Sequence, residues 1–183
     1  MSPNSIAILS NPDPSGHIVY PYTDETHIAN AVSMFAGFGL GKGEAVVLVM
    51  AAKHVEPVRQ RLKTEGFDVG KLEGAGQLIC CEAEHLMTKF LFDGILDELK
   101  FTTTIGELIR TAKQGGRRSV RVFGEMVDLI WRAHLGTTHR MEELWTKLVS
   151  IHSVPLLCAY SLNDSRPEAI PECLLDCHSH AIS

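Results

Sequence analysis

The sequence has no long apolar segment and no concentration of charge, and each absence excludes a class of protein. Its longest uninterrupted apolar run, Ala45–Ala52, has eight residues, whereas a helix that spans a membrane needs about 20. The 17 basic and 22 acidic residues give a formal net charge of -5. The densest basic spot, Arg117, Arg118 and Arg121, is too small for a nucleic-acid-binding surface. Because residues 1–10 also lack the basic start of a secretory signal, we expect a cytoplasmic protein that binds neither membranes nor nucleic acids directly.

The chain also lacks the cysteine spacing of small disulfide scaffolds and of closed zinc sites. Its five cysteines are an odd number, and no C-x-x-C pair occurs among them. They are Cys80, Cys81, Cys158, Cys173 and Cys177. In the closing stretch the i,i+4 cysteines would share a helix face, which suits either metal binding or burial in the core. We expect reduced thiols and no metal ion or other cofactor, although the sequence leaves open a metal at Cys173, Cys177, His178 and His180.

A phosphate-binding loop is absent as well, although residues 37–43 are rich in glycine. The lysine of this stretch, Lys42, is followed by Gly43 and not by a hydroxyl residue that could bind magnesium. The position five before Gly41 is Ala36, and the stretch follows a predicted helix and precedes a strand, which is the reverse of the required order. We expect these glycines to end the helix and form a turn, and we do not expect hydrolysis of ATP or GTP.

What the sequence does contain is a regular alternation of apolar runs and amphipathic segments. The continuous run at 45–50 is typical of a strand that is buried on both faces. Strands are predicted at 17–20, 45–50, 77–81, 120–123 and 156–160. Helices are predicted at 24–38, 54–64, 104–114, 125–134 and 138–152, from apolar residues at helical spacing. Residues 88–100 fit neither pattern and are interpreted as a lid-like connection.

This alternation predicts the fold class and the division of the chain. Strands that alternate with helices imply right-handed crossovers and a mostly parallel sheet covered on both faces. The prediction is therefore an α/β protein, a three-layer α/β/α sandwich that forms a single domain over residues 17–183. Residues 1–16 contain three prolines and several small polar residues, and we expect them to form a flexible leader.

One predicted strand, Val120–Phe123, is of particular interest because a carboxylate follows it. The chain turns at Gly124 and enters a helix with Glu125 in its first turn. Open parallel sheets bind ligands at the carboxyl ends of their strands, but an acid in a first helical turn also complements the helix dipole. The sequence leaves both interpretations of Glu125 open. Other strands end in polar or aromatic residues, which suits a small-molecule pocket and is also common wherever strands stop.

Several short motifs occur together in an order that resembles one known family. They are His17-x-x-x-x-Tyr22-x-Asp24, Ala52-Lys53-His54, residues 121–126 (RVFGEM), Leu144-Trp145, residues 157–160 (LCAY) and Cys177-His178-Ser179-His180. From about residue 17 to 182 the chain resembles the MEDS domain, the methanogen/methylotroph sensory domain of a dichloromethane-responsive repressor and of many bacterial sensor kinases. Two positions depart from the family pattern. Pro21 replaces an aromatic residue, and Cys81-Glu82 replaces Asp-Ala at the end of the third strand.

The resemblance implies a fold similar to RecA/KaiC-type ATPase cores without the phosphate loop. It also implies a non-catalytic sensory domain of bacterial signal transduction that binds a small organic ligand, such as a simple hydrocarbon derivative. The expected partner is a sensor kinase or a transcription regulator, and a homodimer is left open. Two alternatives are a protein-interaction module with a degenerate ATPase-like fold and a metal-dependent hydrolase that uses Glu125 as a base.

The candidate ligand-binding residues follow from the resemblance and from the inferred strand ends. They are His17, Tyr22, His54, Cys81, Glu125, Cys158 and Tyr160. In this hypothesis Glu125 and His17 orient a polar head group, the two tyrosines form aromatic walls, and the two cysteines are small polarizable neighbours. No catalytic residue and no metal ligand is assigned.

Overall fold

The centre of the computed structural model is a sheet of six parallel strands, and the structure describes residues 1–114, 116, 119–162 and 169–182. The strands are β1 (His17–Tyr22), β2 (Ala45–Met50), β3 (Leu78–Glu82), β4 (Leu91–Phe92), β5 (Ile95–Leu96), β6 (Val120–Gly124), β7 (Leu156–Ser161) and β8 (His180–Ala181). The central sheet has the order β3-β2-β6-β7-β1-β8, while β4 and β5 form a separate antiparallel hairpin. Each pairing within the central sheet is parallel.

Helices cover both faces of this sheet. They are α1 (Pro3–Ser10), α2 (Glu25–Gly41), α3 (Ala52–Thr64), α4 (Val69–Gly74), α5 (Ala83–Met87), α6 (Glu98–Lys113), α7 (Met126–Ile130), α8 (Leu135–His152) and α9 (Glu172–Leu175). One core cluster joins α1 to α4 to the sheet, and a second joins α5 to α9 to its other face. Successive residues of β2 alternate between the two clusters, since neighbouring strand residues point to opposite faces. The predicted three-layer α/β/α sandwich is confirmed, whereas the likeness to RecA/KaiC-type cores stays a prediction.

The first strand is longer than predicted, because Pro21 lies inside it and does not end it. The backbone of Val19 faces β8, where its carbonyl accepts from Ile182 N at 3.0 Å. Alternation along the strand turns Pro21 to the same side, but β8 pairs only with Ile18 and Val19. The missing N–H of the proline therefore breaks no ladder hydrogen bond, which is the situation in which strands tolerate proline.

The glycine-rich stretch belongs mostly to helix α2, which continues to Gly41, so the predicted turn is shorter than expected. A β-carbon on Gly39 would lie 2.6 Å from the Arg121 side chain, so only glycine allows the buried arginine to cross α2 this closely. The turn itself begins at Lys42 and uses Gly43 at φ 78°. No strand-to-helix phosphate loop forms in this part of the chain, as predicted.

Two other segments differ from the sequence prediction. Residues 1–16 contain the helix α1, which is capped by Ser2 and places Leu9 in the core, so this part of the expected leader is packed against the sheet layer. Residues 88–100 contain the β4–β5 hairpin and the first turn of α6.

The ends of several predictions lie outside the described residues. They concern Gly115, which follows the helix predicted at 104–114, and the basic pair Arg117 and Arg118. Among the described residues, no helix combines the length and the apolar character needed to cross a membrane.

Candidate functional site

Glu125 is the centre of a buried cluster at the carboxyl edge of the sheet. Its side chain is 1% exposed, and Oε1 lies 2.7 Å from His54 Nδ1. The same oxygen accepts a hydrogen bond of 3.2 Å from the Tyr22 hydroxyl, and Oε2 accepts one of 2.8 Å from Ala51 N. Although Glu125 precedes α7, its side chain makes no capping hydrogen bond. The side chain therefore does not cap α7 by a hydrogen bond, and its two oxygens are turned to Tyr22, His54 and Ala51 instead.

The topology explains why these residues meet. β2 lies next to β6, so the chain that leaves β2 passes beside Glu125 and presents Ala51 N and then His54 in the first turn of α3. Tyr22 ends β1, two strands away from β6, and its long side chain spans the distance. Three of the seven predicted residues, Tyr22, His54 and Glu125, are thus brought together as expected.

Asp128 is a fourth member of this cluster that sequence reasoning missed. Its Oδ1 accepts a hydrogen bond of 2.7 Å from Ser161 N, and its Oδ2 accepts one of 3.4 Å from the Tyr22 hydroxyl. Burial raises the pKa of the Asp128 carboxyl, and the nearby charge of Glu125 raises it further. The available signal was its position three residues after Glu125, which puts both carboxylates on one side of a helical turn. We call Tyr22, His54, Glu125 and Asp128 the carboxyl-edge cluster.

A surface groove lies beside this cluster, between α2 and α3. Its volume is about 280 Å³, and its lining includes Glu25, Thr26, Ala29, His54, Pro57 and Arg61. The His54 ring therefore joins two environments. Its Nδ1 faces the buried Glu125, while its Nε2 lies 3.9 Å from the exposed Glu25 carboxylate and makes no hydrogen bond to any described residue.

Three other predicted residues, His17, Cys158 and Tyr160, form a second cluster under α8. His17 Nε2 lies 3.3 Å from Cys158 Sγ and 3.2 Å from Glu142 Oε2, and the Tyr160 hydroxyl donates to the other oxygen of Glu142. His178 completes the group, with Nε2 3.4 Å from Glu142 Oε1. We call these five residues the His17 cluster.

The His17 cluster is buried, and burial shapes its electrostatics. Burial raises the pKa of the Cys158 thiol and lowers the pKa of His17. Burial also opposes ionisation of Glu142, but the adjacent imidazole rings of His17 and His178 hold the pKa of that carboxyl well below its usual range. One sign of Glu142 was visible in the sequence, since a lone acid falls on the apolar face of α8 beside Met141 and Trp145.

The structure does not place the seven predicted residues around one pocket. His17 begins β1, five residues before Tyr22, and at about 3.3 Å per residue the two are roughly 16 Å apart along the strand. Cys81 belongs to neither cluster, since it lines a separate groove on β3 with Cys80, His85 and Lys89. The expectation that His17 and Glu125 hold one head group is therefore corrected, because alternation and strand position put them in different layers.

Comparison with known proteins gives one clear result. The family model described as MEDS, the methanogen/methylotroph, DcmR sensory domain, matches residues 16–179. This range contains both clusters and the groove beside His54, and it confirms the resemblance seen in the sequence motifs. No curated protein matches the chain.

Proposed function

The chain belongs to the MEDS family of sensory domains, and we propose that it binds a small organic ligand in the groove beside His54. The ligand is a short molecule with a hydroxyl or carboxyl head group, in keeping with the simple hydrocarbon derivatives that the family resemblance implies. The proposed setting is bacterial signal transduction in the cytoplasm, with a sensor kinase or a transcription regulator as the partner.

The observation that carries this proposal is the orientation of the His54 ring. A carboxylate only accepts hydrogen bonds, so the Nδ1 that lies 2.7 Å from Glu125 carries a proton. The opposite nitrogen, Nε2, is then an acceptor when the ring is neutral and a donor when it is protonated. Buried polar atoms are almost always hydrogen-bonded, whereas neither nitrogen of this ring has a hydrogen-bond partner among the described residues, although Nδ1 lies beside Glu125 and the side chain lines the groove.

The size and lining of the groove favour a small ligand. A volume of about 280 Å³ is at the lower limit of ordinary ligand pockets, which hold roughly 300–1,000 Å³. Ala29 and Pro57 offer apolar surface, while Thr26 and Arg61 offer hydrogen-bond donors. A short carbon chain would lie against the first pair, and its head group would reach His54 Nε2 after a side-chain movement of the exposed Glu25.

A route from this groove to a partner is offered by the β4–β5 hairpin. Glu125 leads directly into α7, and the turn after α7 leads into α8, where Thr137 Oγ1 donates a 2.7 Å hydrogen bond to Gly94 O of the hairpin. The hairpin and the start of α6 expose Phe92, Ile95 and Leu99, the latter two by 73% and 76%. An exposed apolar patch of this kind marks an interaction surface. We propose that ligand binding changes the position of this hairpin, which the partner contacts.

A thermal-shift screen tests ligand binding. The panel contains short alcohols, halocarbons, organic acids and nucleotides, and a true ligand at 100 times its dissociation constant should stabilise the fold by about 2.7 kcal/mol. We expect a rise in Tm with a member of the first three classes and none with nucleotides. The variant Ala29→Leu fills the groove, leaves the four residues of the carboxyl-edge cluster unchanged and should abolish the rise. Ala7→Leu, at an exposed site of α1, is the matched control and should retain it.

Hydrogen exchange tests the proposed output. Amides of residues 88–100 should exchange more slowly when the ligand found in the screen is bound, whereas those of α4, on the other face of the sheet, should not change. If exchange in residues 88–100 is the same with and without ligand, the hairpin does not transmit the signal.

The exposed apolar hairpin also favours one of the alternatives, a protein-interaction module that binds no small ligand. A flat thermal-shift screen would support this alternative. The metal-dependent hydrolase is less well supported, because Glu125 already accepts hydrogen bonds from Ala51 and Tyr22, lies 2.7 Å from His54 Nδ1 and is shielded from solvent. A general base needs access to the proton that it removes.

A further inference from the structure

We propose that the His17 cluster is a closed site for one divalent transition-metal ion of the zinc class, with His17, Glu142, Cys158 and His178 as its ligands. This site lies apart from the groove beside His54, and the proposal does not depend on ligand sensing there. Imidazole, thiolate and carboxylate together are the donor set that zinc prefers in proteins.

The distances between the candidate ligand atoms are close to those around one tetrahedral ion. Each residue offers one such atom, and all four atoms lie within 4.8 Å of one another, so the longest separation would shorten when the ion binds. Zinc bonds of about 2.0–2.3 Å place tetrahedral ligands roughly 3.3–3.8 Å apart. His17 Nε2 lies 3.2 Å from Glu142 Oε2 and 3.3 Å from Cys158 Sγ, while His178 Nε2 lies 3.4 Å from Glu142 Oε1. Cys158 Sγ is 3.8 Å from Glu142 Oε2.

In metal-binding histidines, the ring nitrogen that does not contact the metal usually donates a hydrogen bond to a nearby acceptor. Nδ1 of both His17 and His178 is placed to do so. His178 Nδ1 lies 2.8 Å from the carbonyl oxygen of Leu174, which can only accept, so Nδ1 carries the proton. His17 Nδ1 lies 3.0 Å from Thr146 Oγ1, whose own proton goes to the carbonyl of Glu142 at 3.0 Å. In both neutral rings the lone pair is therefore on Nε2, the nitrogen that points into the cluster.

With the ring protons on Nδ1, neither Nε2 donates to Glu142, and His178 Nε2 has no hydrogen-bond partner among the described residues. The side chains of His17, His178 and Glu142 are 3%, 1% and 0% exposed, so bulk water does not supply a partner. A single metal ion bound to the carboxylate, both imidazoles and the Cys158 thiolate satisfies all the groups at once.

The four ligands come from distant parts of the chain, which indicates what the metal would do. They lie on β1, β7, α8 and the segment after α9. Since all four positions are protein atoms and buried, the site has the closed character of structural zinc sites and leaves no place for a substrate. The ion would fasten the C-terminal segment to the sheet, beside the hydrogen bonds between Ser179 and His17.

Metal analysis and cobalt spectroscopy test this assignment on the tag-free full chain. Purified protein incubated with zinc and then dialysed should retain about one equivalent per chain. With Co²⁺ instead, a tetrahedral site with one thiolate should give visible d–d bands and a near-ultraviolet sulfur-to-cobalt charge-transfer band. Cys158→Ser should lose the charge-transfer band, and Cys173→Ala and His180→Ala, which alter residues outside the cluster, should keep it. Thr146→Val removes the partner of His17 Nδ1, together with the hydrogen bonds of this hydroxyl to the Glu142 and Cys177 carbonyls, and should weaken zinc binding by about 10- to 100-fold.

Two results would overturn the assignment. One is a folded protein that takes up no zinc and shows no cobalt bands. The other is a charge-transfer band that survives in Cys158→Ser but disappears in Cys173→Ala, which would place the metal on the terminal cysteines. If Cys158→Ser does not fold, His178→Gln serves in its place, since His178 lies after α9 and outside the sheet. This variant keeps the thiolate, so its readout is zinc affinity: a loss is expected, and unchanged affinity would overturn the assignment. Neither result affects the thermal-shift screen, which is run without metal.

Discussion

Replacing Arg121 with methionine is expected to lower the free energy of unfolding by about 3–5 kcal/mol, the usual cost of breaking a buried ion pair. The side chain is 1% exposed and pairs with Glu44 through Nε. Its Nη1 donates hydrogen bonds of 3.0 Å to Leu9 O and 3.1 Å to Phe35 O. Methionine fills part of the volume but leaves these two carbonyls and the Glu44 carboxylate without their donor.

Arg121 thus connects the helices α1 and α2 with Glu44, the residue directly before β2. Equilibrium unfolding in urea, followed by circular dichroism, measures the effect. Arg110→Met is the matched control, because Arg110 is 62% exposed and its ion pair with Glu107 spans 3.9 Å. Exposed pairs of this kind contribute about 0–1 kcal/mol, so the control should stay within that range.

A double variant separates the buried charge from the buried hydrogen bonds. Glu44→Gln combined with Arg121→Met removes both charges, so the cost of the unpaired carboxylate should disappear and part of the stability should return. The two carbonyls remain without a donor in both variants. A loss below about 1 kcal/mol in the single variant would mean that water reaches these groups and that Arg121 does not anchor the layer.

Arg121 also illustrates what the sequence could and could not predict. The fold class follows from local patterns, since a continuous apolar run such as Ala45–Met50 has few alternatives to a buried strand. The same pattern of strand ends brought Tyr22, His54 and Glu125 to one edge. From the sequence, Arg121 was recognised only as part of a motif and of a small basic spot, because its partners at Leu9 and Phe35 are backbone carbonyls that any residue could supply.

The residues that sequence analysis assigned to the wrong neighbours share one physical cause. The amino-acid composition of a strand does not show its register, that is, how far each of its residues lies from the carboxyl edge of the sheet. The distances of His17 and Cys158 from that edge could therefore not be predicted. Cys158 pairs with Val19 in the middle of β1, so its side chain faces α8 and not the carboxyl edge. Glu142 was missed because helical periodicity predicts which face is buried but not which charged residue that face will accept. Contacts between segments that are far apart in the chain determine both the strand register and the burial of Glu142.

Replacing Glu125 is expected to have two different results, depending on the side chain introduced. Glu125→Ala leaves Ala51 N and His54 Nδ1 without an acceptor in the core, whereas the Tyr22 hydroxyl keeps Asp128 Oδ2. At about 1–3 kcal/mol for each of the two buried donors left unpaired, the loss of unfolding free energy should be about 2–6 kcal/mol. Glu125→Gln should cost less, because its amide oxygen can still accept from Ala51 N while its NH₂ group faces His54.

The glutamine variant should also move the proton of His54 from one ring nitrogen to the other. An amide NH₂ only donates, so His54 Nδ1 must become the acceptor and the proton must reside on Nε2. The groove would then present a hydrogen-bond donor where the natural protein presents an acceptor. In the thermal-shift screen, ligands that donate through a hydroxyl should lose their effect, while carboxylates should retain theirs or gain.

Nitrogen NMR of the His54 side chain measures this exchange directly, since the protonated and unprotonated ring nitrogens differ strongly in chemical shift. Glu107→Gln, which alters an exposed glutamate of α6, should leave the His54 signals unchanged. If Glu125→Gln keeps the proton on Nδ1, then Glu125 does not determine the orientation of the ring. If the ligand preference changes together with the His54 tautomer, then the buried Glu125 carboxylate selects which ligands the groove binds. It does so because it determines which nitrogen of the His54 ring can donate a hydrogen bond.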